Sequence, residues 1–210
     1  MTNIPKINKE NFQPKPLVIR TWDLFRSIRI IRAIRLIFFA FLFFSFFSFV
    51  KSAEAATYYV STSGSDANSC SVAQNINTPK RTIAGGLVCL SGGDTLVIND
   101  SGTYAEGIDC SILNCPNGNA SASTIIRGAN SSTRPTLIPP SSTFGIRFYD
   151  DSYITLQDVK IDANNVVSAA IISTGTIGSQ HITIRNVEIY NIAADDTGAI
   201  TSNYGSGYLS

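Results

Sequence analysis

Residues 152–164 read SYITLQDVKIDAN and residues 180–192 read QHITIRNVEIYNI, a match in register at a shift of 28 positions. Ile154 falls on Ile182, Leu156 on Ile184, Val159 on Val187 and Ile161 on Ile189. Polar positions follow, with Thr155 on Thr183 and Asp158 on Asn186. Each unit is two short alternating strands, with a step at Asp158 or Asn186 where the alternation loses phase. Asp and Asn tolerate the left-handed backbone that a sharp bend requires. Less regular copies of the apolar pattern occur in TIIRGANSSTRPTLI and FGIRFYD.

A repeat of this length built from short strands predicts a solenoid. One unit holds too few apolar residues to close a core, and it lacks runs of strong helix formers. Coiling the chain stacks Ile154 under Ile182 and Val159 under Val187 at the inter-strand spacing of roughly 4.8 Å. Backbone groups then pair with the turn above or below. Thr155, Gln157, Lys160 and Asp162 point outward, over Thr183, Arg185, Glu188 and Tyr190. An antiparallel sandwich explains the alternation but not the register match. The expected fold is all-β, a right-handed parallel β-helix.

Solenoid ends need caps. TPKRTIAGGLVCL places Ile83, Leu87 and Leu90 at helical spacing, and this predicts a short N-terminal capping helix over the first coil. Gly85 and Gly86 make it a poor helix unless it packs on a surface. GAITSNYGSGYLS begins like a further coil with no closing cap, so the chain is expected to be truncated at its C-terminal side.

The N-terminal portion has another character. Residues 1–56 carry nine Lys/Arg against three Asp/Glu, whereas 57–210 carry seven against twelve. Leu36–Val50 is an uncharged run with eight of the twelve Phe, preceded by Arg26, Arg29, Arg32 and Arg35 and followed by KSAEAA. A basic region, a short apolar core and an A-x-A end describe an export signal over 1–56, cleaved after Ala55 or Ala56. The run is short of the roughly 20 residues of a membrane span. An uncleaved anchor with its basic side in the cytoplasm is the alternative, and the only membrane association expected. The mature part, 57–210, is then secreted or on the cell surface. Its acidity excludes nucleic acid as a partner, because phosphate binding needs clustered Lys/Arg.

All four cysteines, Cys70, Cys89, Cys110 and Cys115, lie in that part. An even count after an export signal predicts two disulfides. Three pairings are open; Cys70–Cys89 with Cys110–Cys115 links segments close along the chain. With one His and no C-x-x-C, a zinc site has little support.

TYYVSTSGSDANSC, TPKRTIAGGLVCLSGGDTLVI and GTYAEGI, followed by the coil-like units, resemble the N-terminal portion of secreted pectin-lyase-like right-handed β-helix proteins. The resemblance covers about residues 57–210 and rests on structural motifs. It implies an opening strand, a capping helix and a chain associated with polysaccharide, in a superfamily that includes lyases, hydrolases and non-catalytic surface proteins.

A lyase acting on acidic, uronate polysaccharide needs a Lys or Arg base and a cation that neutralises the carboxylate. Lys160 is the candidate base, with Arg185, a second candidate catalytic residue, one coil on and Asp158 and Asp162 as candidate Ca²⁺ ligands. Cross-coil stacking accounts for the same residues, since Lys160 falls on Glu188 and Asp158 on the bend position of Asn186. A hydrolase gathers several Asp, and Asp150-Asp151 and Asp195-Asp196 are the adjacent acidic pairs. Each sits in a turn region, and N-T-D and G-H-G signatures are absent. His181 matches Tyr153 and reads as a turn-edge residue. The alternatives to a lyase are a carbohydrate-binding module and an adhesin-type structural protein. The chain is expected to be monomeric.

Overall fold

A computed structural model of the chain describes Arg32, Arg35 and residues 54–140, 144–165, 169–192 and 199–202. The chain divides into two compact units, Met1–Ala53 and Glu54–Ser210. In the first, Arg32 and Arg35 are helical and exposed, and the apolar run 36–50 lies outside the described residues.

The second unit is a parallel β-solenoid. Its strands are β1 (Thr57–Val60), β2 (Thr95–Ile98), β3 (Thr103–Tyr104), β4 (Ile108–Asp109), β5 (Thr124–Gly128), β6 (Thr136–Leu137), β7 (Phe144–Tyr149), β8 (Ser152–Asp162), β9 (Ala169–Thr174), β10 (Gln180–Tyr190) and β11 (Ile200–Ser202). Every pairing among them is parallel. The first sheet runs β1-β2-β5-β8-β6-β3 with β10 on β8, and the second runs β11-β9-β7-β4.

The long strand β8 shows how one sheet makes two walls. Its first half pairs with β5, Thr124 opposite Ile154 and Ile126 opposite Leu156, and its second half pairs with β6, Leu137 opposite Ile161. Between the halves lies Asp158 at φ 58°, stacked under Asn186 at φ 49°. Asn186 Nδ2 donates to Asp158 Oδ1 at 2.6 Å, and Gln157 Nε2 donates to Asp158 Oδ2 at 2.9 Å. Residues that accept left-handed backbone at low cost therefore turn the corner in both coils, and their side chains tie the coils together.

The register found between β8 and β10 is the one the repeat predicts, with Ile154 on Ile182, Leu156 on Ile184, Val159 on Val187 and Lys160 on Glu188. Interior columns extend across the unit. Tyr58, Leu96, Ile126, Leu156 and Ile184 form one, and Tyr104, Leu137, Ile161 and Ile189 another. Ile108, Ile146 and Ile171 form a third on the second sheet, with Ile200, half exposed, as its last register partner. Leu96, Ile126, Leu137, Ile146, Leu156 and Ile161 are fully enclosed. Each such side chain contributes about 1.5–3 kcal/mol by leaving water.

One expectation needs correction. FGIRFYD is not a copy of the repeated unit: it is β7, which pairs with β4 and β9 in the second sheet. A period of two marks any half-buried strand and does not say which wall the strand joins.

The cap is a five-residue helix, Ile83–Leu87, with both end residues buried. Its glycines follow from proximity. A Cβ on Gly86 would lie 2.5 Å from Val60 Cγ2 and 2.6 Å from Leu96 Cδ1, so only glycine lets the helix lie on β1 and β2. Thr82 Oγ1 accepts from Gly85 N at 2.9 Å, and the Glu106 carboxylate accepts from Ile83 N and Ala84 N at 2.8 and 3.1 Å. The orphan donors of the helix start are thereby satisfied. Leu90 is partly buried against the same core. Disulfides join Cys70 to Cys89 and Cys110 to Cys115.

Candidate functional site

The acidic residues of the N-terminal motifs tie down the cap and the turns around the first strands. Asp94 accepts from Ala56 N and Ser91 N, each at 2.7 Å. Asp66 accepts from Arg81 N, Thr82 N and Thr82 Oγ1. Asp100 accepts from Ser61 Oγ, Thr62 N and Thr62 Oγ1 on one oxygen, and from Gly102 N and Tyr104 OH on the other. Burial pushes the Asp100 carboxyl up, but the hydrogen bonds from Tyr104, Thr62 and Ser61 outweigh it and hold it below the usual range. These carboxylates are structural anchors.

Lys160 and Arg185 lie on opposite sides of the Asp158/Asn186 corner. Lys160 Nζ is 4.0 Å from Glu188 Oε2, and Arg134 reaches across from the loop before β6 to the same oxygen at 2.7 Å. Arg185 stands over Gln157 and donates to its Oε1. Asp158 is engaged in the corner, and Asp162 Oδ1 accepts from Asn191 Nδ2 and Asn164 N at 2.9 and 3.0 Å. The two carboxylates thus serve successive bends and are not brought together. Among the described residues, no group of three His, Cys, Asp or Glu is arranged to hold a metal ion. Tyr153 and His181 stack at the turn edge, ring centroids 4.4 Å apart, both with left-handed backbone.

A concave surface lies elsewhere, on the second sheet. Arg147 and Tyr149 of β7, Thr174 of β9 and the following Gly175 and Thr176 line an open depression of about 560 Å³. Arg147 is held in place: its Nε and Nη2 donate to Asp109 Oδ1 and Oδ2 at 2.9 and 2.6 Å, and its guanidinium lies 5.3 Å from the Phe144 ring centre. Burial raises the Asp109 carboxyl, but hydrogen bonds from Arg147 and Ser111 bring it below its ordinary value. The Thr174 hydroxyl oxygen is enclosed and has no hydrogen-bond partner among the described residues.

Asp150 and Asp151, adjacent in sequence, have opposite roles at this edge. Asp150 accepts from Thr176 N, Ile177 N and Gly178 N, each at 2.9 Å, and these bonds lower its carboxyl. It shapes the loop that walls the depression. Asp151 is buried at 5% exposure and accepts from Tyr149 N at 2.6 Å. Burial dominates there, and the carboxyl is pushed up to about 6. Because the folded state holds this proton more tightly than the unfolded chain, the contribution of Asp151 to stability falls as pH rises through about 6. Asp151→Asn keeps an acceptor for Tyr149 N–H and removes the buried charge. The variant is expected to exceed the parent in stability by about 1–2 kcal/mol above pH 6, with the gap closing below about pH 4. Urea denaturation at pH 4 and pH 8 measures this.

Sequence reasoning singled out none of Arg147, Tyr149 and Thr174. Arg147 and Tyr149 are two residues apart on one strand and so share a face, a signal present in FGIRFYD. Asp195 and Asp196 lie outside the described residues.

No family model matches the chain, and no curated protein matches it. Solved structures do. The native GH136 lacto-N-biosidase from Eubacterium ramulus superposes with a TM-score of 0.50 at 13% identity, covering 70% of this chain. This solenoid has the fold of part of that enzyme. The selenomethionine derivative of the same protein gives a TM-score of 0.49 at 15% identity over 66% of the chain. The chain spans 30% and 27% of the lengths of these two structures. Among the described residues, no helix is long and apolar enough to cross a membrane.

Proposed function

We propose that this chain belongs to an exported parallel β-helix protein of the pectin-lyase-like type, and that it engages polysaccharide on the outside of its coils. The observation that carries the reading is the depression on the second sheet. It combines a guanidinium fixed by Asp109 with an exposed tyrosine ring on a rigid wall. Aromatic faces stack on sugars, and fixed polar groups select hydroxyls and carboxylates. The β-helix of a lacto-N-biosidase, a glycoside-acting enzyme, supports the assignment at the level of fold.

Binding is the primary reading, and uronate lyase chemistry the second. The lyase reading draws on Arg147, whose guanidinium lines the depression while Asp109 holds it in place. Lys160 is less suited to act as the base while it pairs with Glu188. The test is electrophoresis of the full chain through gels containing polygalacturonate, alginate or a neutral galactan, with parallel assay for unsaturated uronate products. Retardation by at least one polymer is expected, reduced about tenfold in apparent affinity by Tyr149→Ala. Unaltered mobility in every gel would remove the reading.

Export belongs to the same proposal. The two disulfides fit an oxidising compartment. Intact mass of the exported product is expected to start at Ala56 or Thr57. A product that keeps residues 1–56 and sediments with membranes would favour the anchor instead.

A further inference from the structure

The turn between β7 and β8 ties down the loop between β9 and β10. Asp150 N donates to Thr174 O at 3.0 Å, and the Asp150 carboxylate accepts from Thr176 N, Ile177 N and Gly178 N. Asp151 N donates to Ser179 Oγ at 3.1 Å, and Asp151 O accepts from Gln180 N at 2.9 Å. Packing adds little at the loop tip, where Ile177 is 68% exposed. Glycines with positive φ, Gly175 at 129° and Gly178 at 73°, flank the tip and supply hinges. Gly175 and Thr176 also wall the depression.

The Asp151 carboxyl is enclosed, and among the described residues it accepts only from Tyr149 N. No Lys or Arg pairs with it there. Its own strand, β7, carries Tyr149 and Arg147, and Arg147 is bound to Asp109. Ser173, Thr174 and Ser179 of β9 and the loop are not ionisable. β8 opens with Ser152 and Tyr153, and β10 opens with Gln180 and His181. The charge that acts on Asp151 is the adjacent Asp150, of the same sign. A covered carboxyl beside a second carboxylate and without a cation favours its uncharged form.

We infer that Asp151 is a proton-operated latch: uncharged, it lets the loop 175–179 close over it and complete the depression, and ionised, it favours the open loop. The depression then grips in mild acid and loosens at neutral pH. A carboxyl pushed up to about 6 when covered, and near 3.8 in water, makes opening easier as pH climbs between those values, with no further change above. Asp150 works in the opposite sense, since the loop amides lower its carboxyl and its hold weakens only in stronger acid. His181, the one histidine of the chain, follows the loop and stacks on Tyr153. Histidines as a class titrate at higher pH than this window. This inference rests on the reading of the depression as a polysaccharide contact and states how that contact is regulated.

Hydrogen exchange of the full chain, read by mass spectrometry over residues 174–180 and corrected for the intrinsic pH dependence of exchange, tests the latch. Between about pH 4.5 and about pH 7.5, protection is expected to fall about tenfold in the parent, most of it below about pH 6. It should stay level in Asp151→Asn, whereas His181→Gln should follow the parent. Circular dichroism confirms that the variants fold, and the position of the parent's own transition tests the latch without them. Affinity electrophoresis in polygalacturonate and in a neutral galactan reads the site. Over the same range the parent should weaken about threefold relative to Asp151→Asn in the polymer that retards it. Level protection in the parent, a fall shared by Asp151→Asn, or a fall lost in His181→Gln would overturn the latch. A loop that follows Asp151 while parent and Asp151→Asn bind alike would overturn its control of the site. A parent retarded by neither polymer at any pH would remove the polysaccharide reading, and exchange would still decide the latch.

Discussion

Leu156→Ala is expected to lower the unfolding free energy by about 3–4 kcal/mol, the cost of deleting a large side chain from a site that cannot collapse. Leu156 is fully buried, with Ile126 opposite it on one side and Ile184 on the other. Strands in a solenoid are held at fixed spacing by their ladders, so neighbouring coils cannot close over the gap. Thr155→Ala, on the adjacent outward-facing residue, is expected to change stability by less than about 0.5 kcal/mol. Urea denaturation midpoints of the two variants provide the comparison. Equal effects would mean that the alternation does not separate inside from outside as described.

Removing the Cys70–Cys89 bridge is expected to cost about 3 kcal/mol, from the chain entropy released when a loop of this size opens. The bridge spans 19 positions and ties the segment after β1 to the residue just beyond the capping helix. The helix has five residues, two of them glycine, and cannot hold its shape by propensity. Freed from the bridge, it loses its hold on Val60 and Leu96 and leaves the end of the core open to water. Cys110–Cys115 closes a loop of 5 positions and should contribute less, about 2 kcal/mol. Thermal melts of Cys70→Ser/Cys89→Ser and Cys110→Ser/Cys115→Ser test the order. The account requires the larger drop for the first pair.

The repeat made the register between β8 and β10 legible because a solenoid translates sequence periodicity directly into spatial neighbours. Four aliphatic matches placed Ile154, Leu156, Val159 and Ile161 inside, and the polar matches placed Asp158 and Asn186 at the corner. The second sheet was harder to read. FGIRFY and AAIIST share no side-chain pattern beyond being apolar, yet they pair from Phe144–Ala169 through Tyr149–Thr174. The segments between the repeated units differ in composition, and nothing local says where each wall resumes.

The depression was hidden for the same reason, since Arg147, Tyr149 and Thr174 meet only when β7 and β9 align. The fates of Asp150 and Asp151 were equally unreadable. Two identical neighbours become a loop anchor and a buried acid because one points at three backbone amides and the other inward. Lys160 was legible as a partner of Glu188, but the closer contact from Arg134 depends on how the loop between β5 and β6 folds back.

Disulfide trapping between adjacent coils tests the central claim most directly. Thr155 and Thr183 are register partners on the outer face, and neighbouring strands at roughly 4.8 Å lie within the Cα separation a disulfide accepts. Thr155→Cys/Thr183→Cys is expected to form an intramolecular bond in the folded full chain, identified by peptide mapping beside the two native bridges. Thr155→Cys/Glu188→Cys, displaced along the strand and across the corner, should not. A bond formed equally by both pairs, or only between molecules, would contradict the stacking of these coils.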